Sequence, residues 1–189
     1  MRTILASKSP RRKELLGRIV TDFEIITAQV DESLPADVHP RFGVEILAKR
    51  KGEAVANENP DALVIASDTL VEYGGRPLGK PTDTDDAVST LLFLSEKTHS
   101  VHTGVAVFYK GEVFSGVDSS RVSFRKIEEC EAREYVLGGE PMDKAGSYAI
   151  QGEGKKFVSS YEGDYNAIVG LGLSLTERLI SEALKNDKG

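Results

Sequence analysis

The stretch "LASKSPRRKELL", Leu5 to Leu16, sets three cations, Arg11, Arg12 and Lys13, directly after a Ser9-Pro10 step. Ser at an N-cap and Pro at the first helical position open a helix. Cations at that end oppose the helix dipole, and each costs roughly 0.3–1 kcal/mol there. A bound anion, a phosphate for instance, would remove the conflict, because orphan backbone N–H groups already point outward at a helix start. Ser7 and Ser9 add hydroxyl donors beside it. The plain alternative is a solvated basic patch. The glycines that would make this a Walker A loop are missing.

Carboxylates and lysines elsewhere could complete such a site. Asp68 follows the most apolar run, "ALVIAS", and is expected at the carboxyl end of a strand, where open α/β sheets place ligand crevices. A turn-forming Asp would look the same. Lys51 interrupts the apolar stripe of a helix expected over 41–57, so it either snorkels to solvent or holds a buried anion. Lys80, in "LGKP", reads plainly as a surface loop lysine. Asp31 and Glu32 form an acidic pair. That pair is either solvated or, with Asp68 close by, supplies oxygen ligands to a metal. Several cations with two or three carboxylates are the equipment for a metal–triphosphate substrate. The cations hold phosphate oxygens, and the carboxylates hold a divalent ion or deprotonate a water.

The elements that must carry these residues are legible in outline. Thr3–Ala6 reads as a strand, followed by a helix from Ser9 with Leu15, Leu16 and Ile19 inside. Phe23–Thr27 reads as a strand, and the 41–57 helix carries Val44, Leu47, Ala48 and Val55 on the stripe with Lys51. Gly74-Gly75 signals a hairpin, and Thr82 with Asp85 resembles a capping box before a helix. Residues 98–124 alternate and break at Lys110-Gly111, so two long antiparallel strands are expected. A helix over 128–137 closes at Gly138-Gly139. Strands near 156–161 and 165–169 follow, then a last helix opened by a Ser174–Glu177 capping box. Early strands alternate with helices and later ones form hairpins, which predicts one α/β domain, residues 1–189, on a mixed, twisted sheet flanked by helices.

Bulk properties bound the function. The chain of 189 residues is 40% hydrophobic and 29% charged, with net charge −6. An acidic chain is a poor duplex nucleic-acid binder, so an anion site must be a local concentration of cations. The single cysteine, Cys130, excludes an intrachain disulfide, and a cytosolic setting fits. "MRTILA" is too short for a signal h-region, and no apolar run approaches membrane-spanning length. The expected localisation is therefore cytoplasmic, with no membrane partner.

Five blocks, "LASKSPRRKELL", "ASDTLV", "GKP", "MDKAGSYAIQG" and "GDYNAIVGL", stand in the order and at the spacing of the Maf family of nucleotide pyrophosphatases. The resemblance covers residues 3 to 184. It implies a fold similar to inosine triphosphate pyrophosphatases, with a long twisted mixed sheet and a cleft between two lobes. It implies hydrolysis of a nucleoside triphosphate between the α and β phosphates with a divalent cation, magnesium or manganese. On this resemblance Asp68 is the proton acceptor and Glu32 the carboxylate of the early acidic loop. Lys51 and Lys80 are the site lysines, and Glu32 and Asp68 hold the metal. Arg11, Arg12 and Lys80 would clamp the triphosphate beside Ser7 and Ser9, and Lys51 would steady the leaving pyrophosphate.

The resemblance is to the branch acting on dTTP and UTP, with base selection carried by Arg11, Thr69 and Gln151. The Gln151 amide offers both donor and acceptor to a pyrimidine edge. Ala149 stands where that branch commonly has Gly, and Gly172 where it has Pro. Two other readings are a non-enzymatic nucleotide- or nucleic-acid-binding regulator of septum formation and a house-cleaning enzyme for damaged purine nucleotides. The family is also compatible with a homodimer.

Overall fold

The computed structural model describes residues 1–185. The first half of the chain forms β1 (Thr3–Leu5), α1 (Pro10–Leu16), β2 (Glu24–Ile25), α2 (Pro40–Ala56), β3 (Leu63–Tyr73), β4 (Arg76–Leu78) and α3 (Thr84–Leu94). The second half forms β5 (Thr98–Tyr109), β6 (Glu112–Phe124), α4 (Glu129–Leu137), β7 (Val158–Glu162), α5 (Tyr165–Val169) and α6 (Leu173–Lys185), with short 3-10 turns between α4 and β7. All strands join one seven-stranded sheet of order β2-β1-β3-β5-β6-β7, with β4 also on β3. β1 pairs parallel to both β2 and β3, and every other pairing is antiparallel. This is the mixed α/β sheet with flanking helices that the sequence predicts.

β3 organises the molecule. One edge pairs with β5 continuously, from Val64↔Phe108 to Glu72↔Ser100. The other edge is shared: β1 covers Leu63–Ile65 and β4 covers Val71–Tyr73. Between them, residues 66–70 have no neighbouring strand on that edge among the described residues. β3 also passes from one core to another. Leu63 and Ile65 pack with Leu5, Leu16, Leu171 and Leu179, whereas Val71 packs with Leu91, Val101, Phe124 and Tyr148. Asp68 therefore lies where two lobes of the core meet.

Asp68 is not at the end of its strand, as expected from the sequence. β3 continues for five residues beyond it, because the register with β5 stays unbroken through Glu72. What ends near Asp68 is the neighbour β1, whose last pairing is Leu5↔Ile65.

Other local expectations are corrected in the same way. Residues 165–169 form the helix α5, because the Asp164 carboxylate accepts from the N–H groups of Asn166 and Ala167 and caps it. The cap of α3 is Asp83, whose carboxylate accepts from the Asp86 N–H at 2.8 Å, while Asp86 accepts from the Thr82 N–H at 2.9 Å. Ser174 lies inside α6, which starts at Leu173. Cys130 is exposed on α4.

Packing of α2 on the sheet sets the site geometry. The cross-strand partner of Asp68 is Gly104. A Cβ at Gly104 would sit 2.6 Å from the Val44 carbonyl oxygen, so only glycine lets α2 approach this closely. Val44, Leu47, Ala48 and Val55 are all buried beneath the helix. Lys51 follows Val44 by two helical turns on the same stripe, and helical side chains lean toward the N-terminus. Lys51 thus reaches back over β3 to Asp68.

Candidate active site

The unpaired edge of β3 opens into a cleft of about 1050 Å³. Its floor includes Asp68 to Val71. One wall comes from the β1–α1 turn, residues 27–30, Glu32, Leu34 and Lys51, and the other from Pro77, Gly79, Lys80, residues 143–145 and residues 148–151. Asp68, Glu32, Lys51, Lys80, Arg11, Arg12, Thr69, Gln151, Ser7 and Ser9 all line this one cavity. Six lysines and arginines line it (Lys8, Arg11, Arg12, Lys51, Lys80, Lys144) against three carboxylates (Glu32, Asp68, Asp143). An excess of three positive charges in a chain of net charge −6 is the local concentration that the sequence called for.

Lys51 is the centre of the acidic group. Its Nζ donates to Asp68 Oδ1 at 2.6 Å and lies 3.2 Å from Glu32 Oε1. The Lys51 and Asp68 side chains are only 18% and 10% exposed, so this pair lies in the cleft's depth, while Glu32 is open to solvent. Lys51 holds anions and does not snorkel. Asp68 Oδ2 has no hydrogen-bond partner among the described residues.

Glu32 is presented by a braced loop. Arg50 Nη1 donates to the carbonyls of Asp31 at 3.1 Å and Ser33 at 2.6 Å. Asp31 itself folds onto Ser33, accepting from its N–H and hydroxyl, and this holds its carboxyl below the usual range. Of the acidic pair seen in the sequence, one member faces the site and the other shapes the turn.

The opposite group gathers around Arg12. Its Nε donates to the Gly170 carbonyl at 3.0 Å, Nη1 to Ser7 Oγ at 3.3 Å and Nη2 to Thr69 Oγ1 at 3.2 Å. Thr69 Oγ1 lies 3.0 Å from Thr103 Oγ1, which donates to the Ala167 carbonyl. Burial pushes the guanidinium below its ordinary value, partly countered by the charge of Asp68. Arg12 thus ties together the β1–α1 turn, β3 and the turn after α5, and much of its donor set is engaged by the protein itself. Asp68 and Thr69, being successive strand residues, point to opposite faces of the sheet. Both line the cleft because no strand covers that edge of β3.

Ser9 caps α1, its Oγ accepting from the Arg12 N–H at 3.5 Å, and Ser7 Oγ accepts from the Ser9 N–H at 3.2 Å. Both hydroxyls keep a proton to donate. Arg11 is half-buried, Lys80 and Gln151 are exposed, and none of the three has an ion-pair or side-chain hydrogen-bond partner among the described residues. They face the cleft with their donors open. Burial pushes the Asp143 carboxyl up, but the adjacent Lys144, with a smaller contribution from Arg11 across the cavity, holds it below its usual range.

Sequence reasoning missed Lys144, Asp143 and Arg50. Lys144, on the wall opposite α1, donates to the Glu140 carbonyl at 3.1 Å and to Asp143. It stands in a glycine-punctuated stretch with no periodicity, so nothing in one sequence says which way it faces. Arg50 precedes Lys51 on α2, and only the loop position reveals its partner.

The donor set can be tested against a divalent cation. Among the described residues no three His, Cys, Asp or Glu side chains form a metal-holding group. Glu32 and Asp68, converging on one ammonium, are two carboxylates beside an open cavity. That fits magnesium, which is commonly held by one or two carboxylates while substrate phosphates and water complete its shell. Among the described residues no helix is long and apolar enough to cross a membrane.

Comparison with known proteins gives the family. A family model described as Maf-like protein matches residues 2–183. The dTTP/UTP pyrophosphatase of Bacillus cereus (strain B4264) is 45% identical over 184 residues, covering 97% of this chain and 95% of that one. The dTTP/UTP pyrophosphatase of Bacillus anthracis is 46% identical over 179 residues, covering 95% and 92%. Among solved structures, the Ham1 protein of Staphylococcus aureus aligns at 18% identity with a TM-score of 0.46, covering 68% of this chain and 73% of that one, a likeness too slight to bear on function. With a family match across nearly its whole length and relatives of this identity, the chain belongs to the Maf family.

Proposed function

We propose that the chain is a nucleoside triphosphate pyrophosphatase that hydrolyses dTTP and UTP to the monophosphate and pyrophosphate. The observation that carries this reading is the Asp68–Lys51–Glu32 chain of contacts, running from the depth of the cleft to its open side, in a cavity where lysines and arginines outnumber carboxylates. The names of the relatives supply the substrate class. We read residues 1–189 as one domain serving this single site.

In this mechanism Arg11, Lys80 and Lys144 hold the polyphosphate, and the Ser7 and Ser9 hydroxyls donate to its oxygens. Arg12 fixes the shape of the turn that carries them. Asp68 takes a proton from a water aligned with the α-phosphorus through Oδ2, the oxygen that Lys51 leaves free. Lys51 orients that carboxylate and steadies negative charge as pyrophosphate departs. A divalent ion such as magnesium or manganese, held by Glu32 and Asp68, would neutralise charge on the phosphate oxygens. Gln151 reads the pyrimidine edge with its amide, and Arg11 and Thr69 complete the selection.

The test is pyrophosphate release from dTTP, UTP, ITP and 7-methyl-GTP, with magnesium and with excess chelator. Release from dTTP and UTP above the others supports the reading. A preference for ITP would make this a damaged-purine enzyme, and tight RNA binding without turnover would make it a regulator.

A further inference from the structure

Gln151 sits at the tip of a short loop whose two ends are tied by one network, running from the buried Tyr135 to the exposed Glu153 N–H. The Glu140 carboxylate accepts from the Glu153 N–H through Oε1 at 3.1 Å and from the Gly154 N–H through Oε2 at 3.1 Å. The same Oε2 accepts from the Tyr135 hydroxyl at 2.5 Å. Tyr135 Oη in turn accepts from the Ala149 N–H at 3.2 Å. The loop closes on itself through Gly152 N–H to the Ala149 carbonyl at 3.2 Å. Contacts therefore run from Ala149, before the tip, through Tyr135 and Glu140, to Glu153 and Gly154 after it.

Space around the network is fitted to it. A Cβ at Gly152 would lie 1.9 Å from Glu140 Oε1, and one at Gly154 would lie 2.9 Å from Tyr135 Oη. The two glycines leave room for the carboxylate and the phenol. Tyr135 is buried and stacks edge-on against Phe157, with ring centroids 5.2 Å apart. Burial, with Glu140 beside it, holds the phenol protonated, as its donor role requires. The Glu140 backbone serves the same wall, since its carbonyl accepts from Lys144. Ala149, Ile150, Gln151 and Lys144 line the cleft, but Tyr135 and Glu140 do not.

We infer that Tyr135 and Glu140 are positioning residues for base selection, holding the Ala149–Gly154 loop so that Gln151 meets the base in one orientation. This rests on the reading of Gln151 given above. All three partners of the Glu140 carboxylate are donors, so only a group that accepts at both oxygens satisfies them. A glutamine of the same shape turns a donor toward a donor.

The experiment compares wild type, Glu140→Gln and Tyr135→Phe by amide hydrogen exchange and by kinetics on dTTP and ITP. Exchange at Ala149, Glu153 and Gly154 quickens in the variants. A loop displaced by a fraction of an ångström raises the KM for dTTP roughly tenfold, leaves kcat within about threefold, and cuts the dTTP-over-ITP ratio of kcat/KM by roughly tenfold. A merely structural role would lower the amount of folded enzyme and leave that ratio alone. Folded variants with faster exchange but the wild-type ratio, or with unchanged exchange, overturn the inference. Should Glu140→Gln not fold, Tyr135→Phe, which removes one oxygen, carries the same test. A wild type that hydrolyses no nucleotide refutes the proposed function instead, and exchange then decides the brace alone.

Discussion

The Lys51 ammonium lies 2.6 Å from Asp68 Oδ1, joining α2 to the uncovered stretch of β3. Both side chains are largely buried, so each needs the other. Removing one member of such a pair leaves an uncompensated charge and costs about 3–5 kcal/mol where burial is complete. Lys51→Met is expected to lower the urea midpoint and to reduce pyrophosphate release by at least roughly a hundredfold. Lys51→Met and Asp68→Asn combined should be less unstable than the sum of the two, and denaturation of all four proteins checks this.

Gly104 makes that contact possible. Gly104→Val would drive a side chain into the Val44 carbonyl and lift α2 from the sheet. The stability loss expected is about 1–3 kcal/mol from overpacking. The loss of activity should be larger in proportion, because Lys51 travels with the helix. Comparing the activity of the folded fraction with the unfolding free energy separates the two.

Arg12 contacts Gly170, Ser7 and Thr69 from one planar group. A lysine keeps the charge but cannot span three partners. Arg12→Lys should therefore lower stability by about 1–2 kcal/mol and slow turnover more than Arg11→Lys does. Equal effects of the two substitutions on thermal midpoint would show that Arg12 is not the tie.

His99 is buried, with Nε2 2.8 Å from the Tyr148 hydroxyl, and burial pushes it down to about 4. The unfolded chain takes up that proton near pH 6.5, the folded protein only near pH 4. This group therefore contributes stability fully above pH 6.5, and the contribution falls as pH drops toward 4. From pH 7 to 5 the expected loss from His99 is about 2 kcal/mol. His99→Gln should show a smaller loss over that interval in urea titrations.

Legibility from sequence followed a physical rule. Features set by neighbours in the chain were readable: the Ser9-Pro10 helix start, the Lys110-Gly111 turn and the α2 stripe all stand where pattern put them. Features set by pairing across the chain were not. Asp68 looked like a strand end because the apolar run stops at Ala66-Ser67, yet the β5 register carries the strand to Tyr73. Residues 165–169 are the exception, a local feature misread: their composition is strand-like, but the neighbouring Asp164 cap decides for helix. Every site residue named from the sequence lines the cleft, Lys80, Thr69 and Gln151 among them although only the family resemblance singled those three out. Lys144, Arg50 and Glu140 stayed hidden, since their meaning lies wholly in partners distant along the chain or in a turn with no pattern.

The metal reading makes its own forecast. Excess chelator should abolish turnover while leaving the thermal midpoint within about 2 °C, since Lys51 already offsets the charge of both carboxylates in the free protein. A large fall in midpoint on chelation would show a resident structural ion instead.

Asp68 is the proton acceptor of the proposed mechanism, so its removal should stop the chemical step. The decisive measurement is single-turnover pyrophosphate release from dTTP by Asp68→Asn, with nucleotide binding followed separately. The expected rate is at least roughly a thousandfold below wild type, with nucleotide still bound. A rate within about threefold of wild type would contradict it.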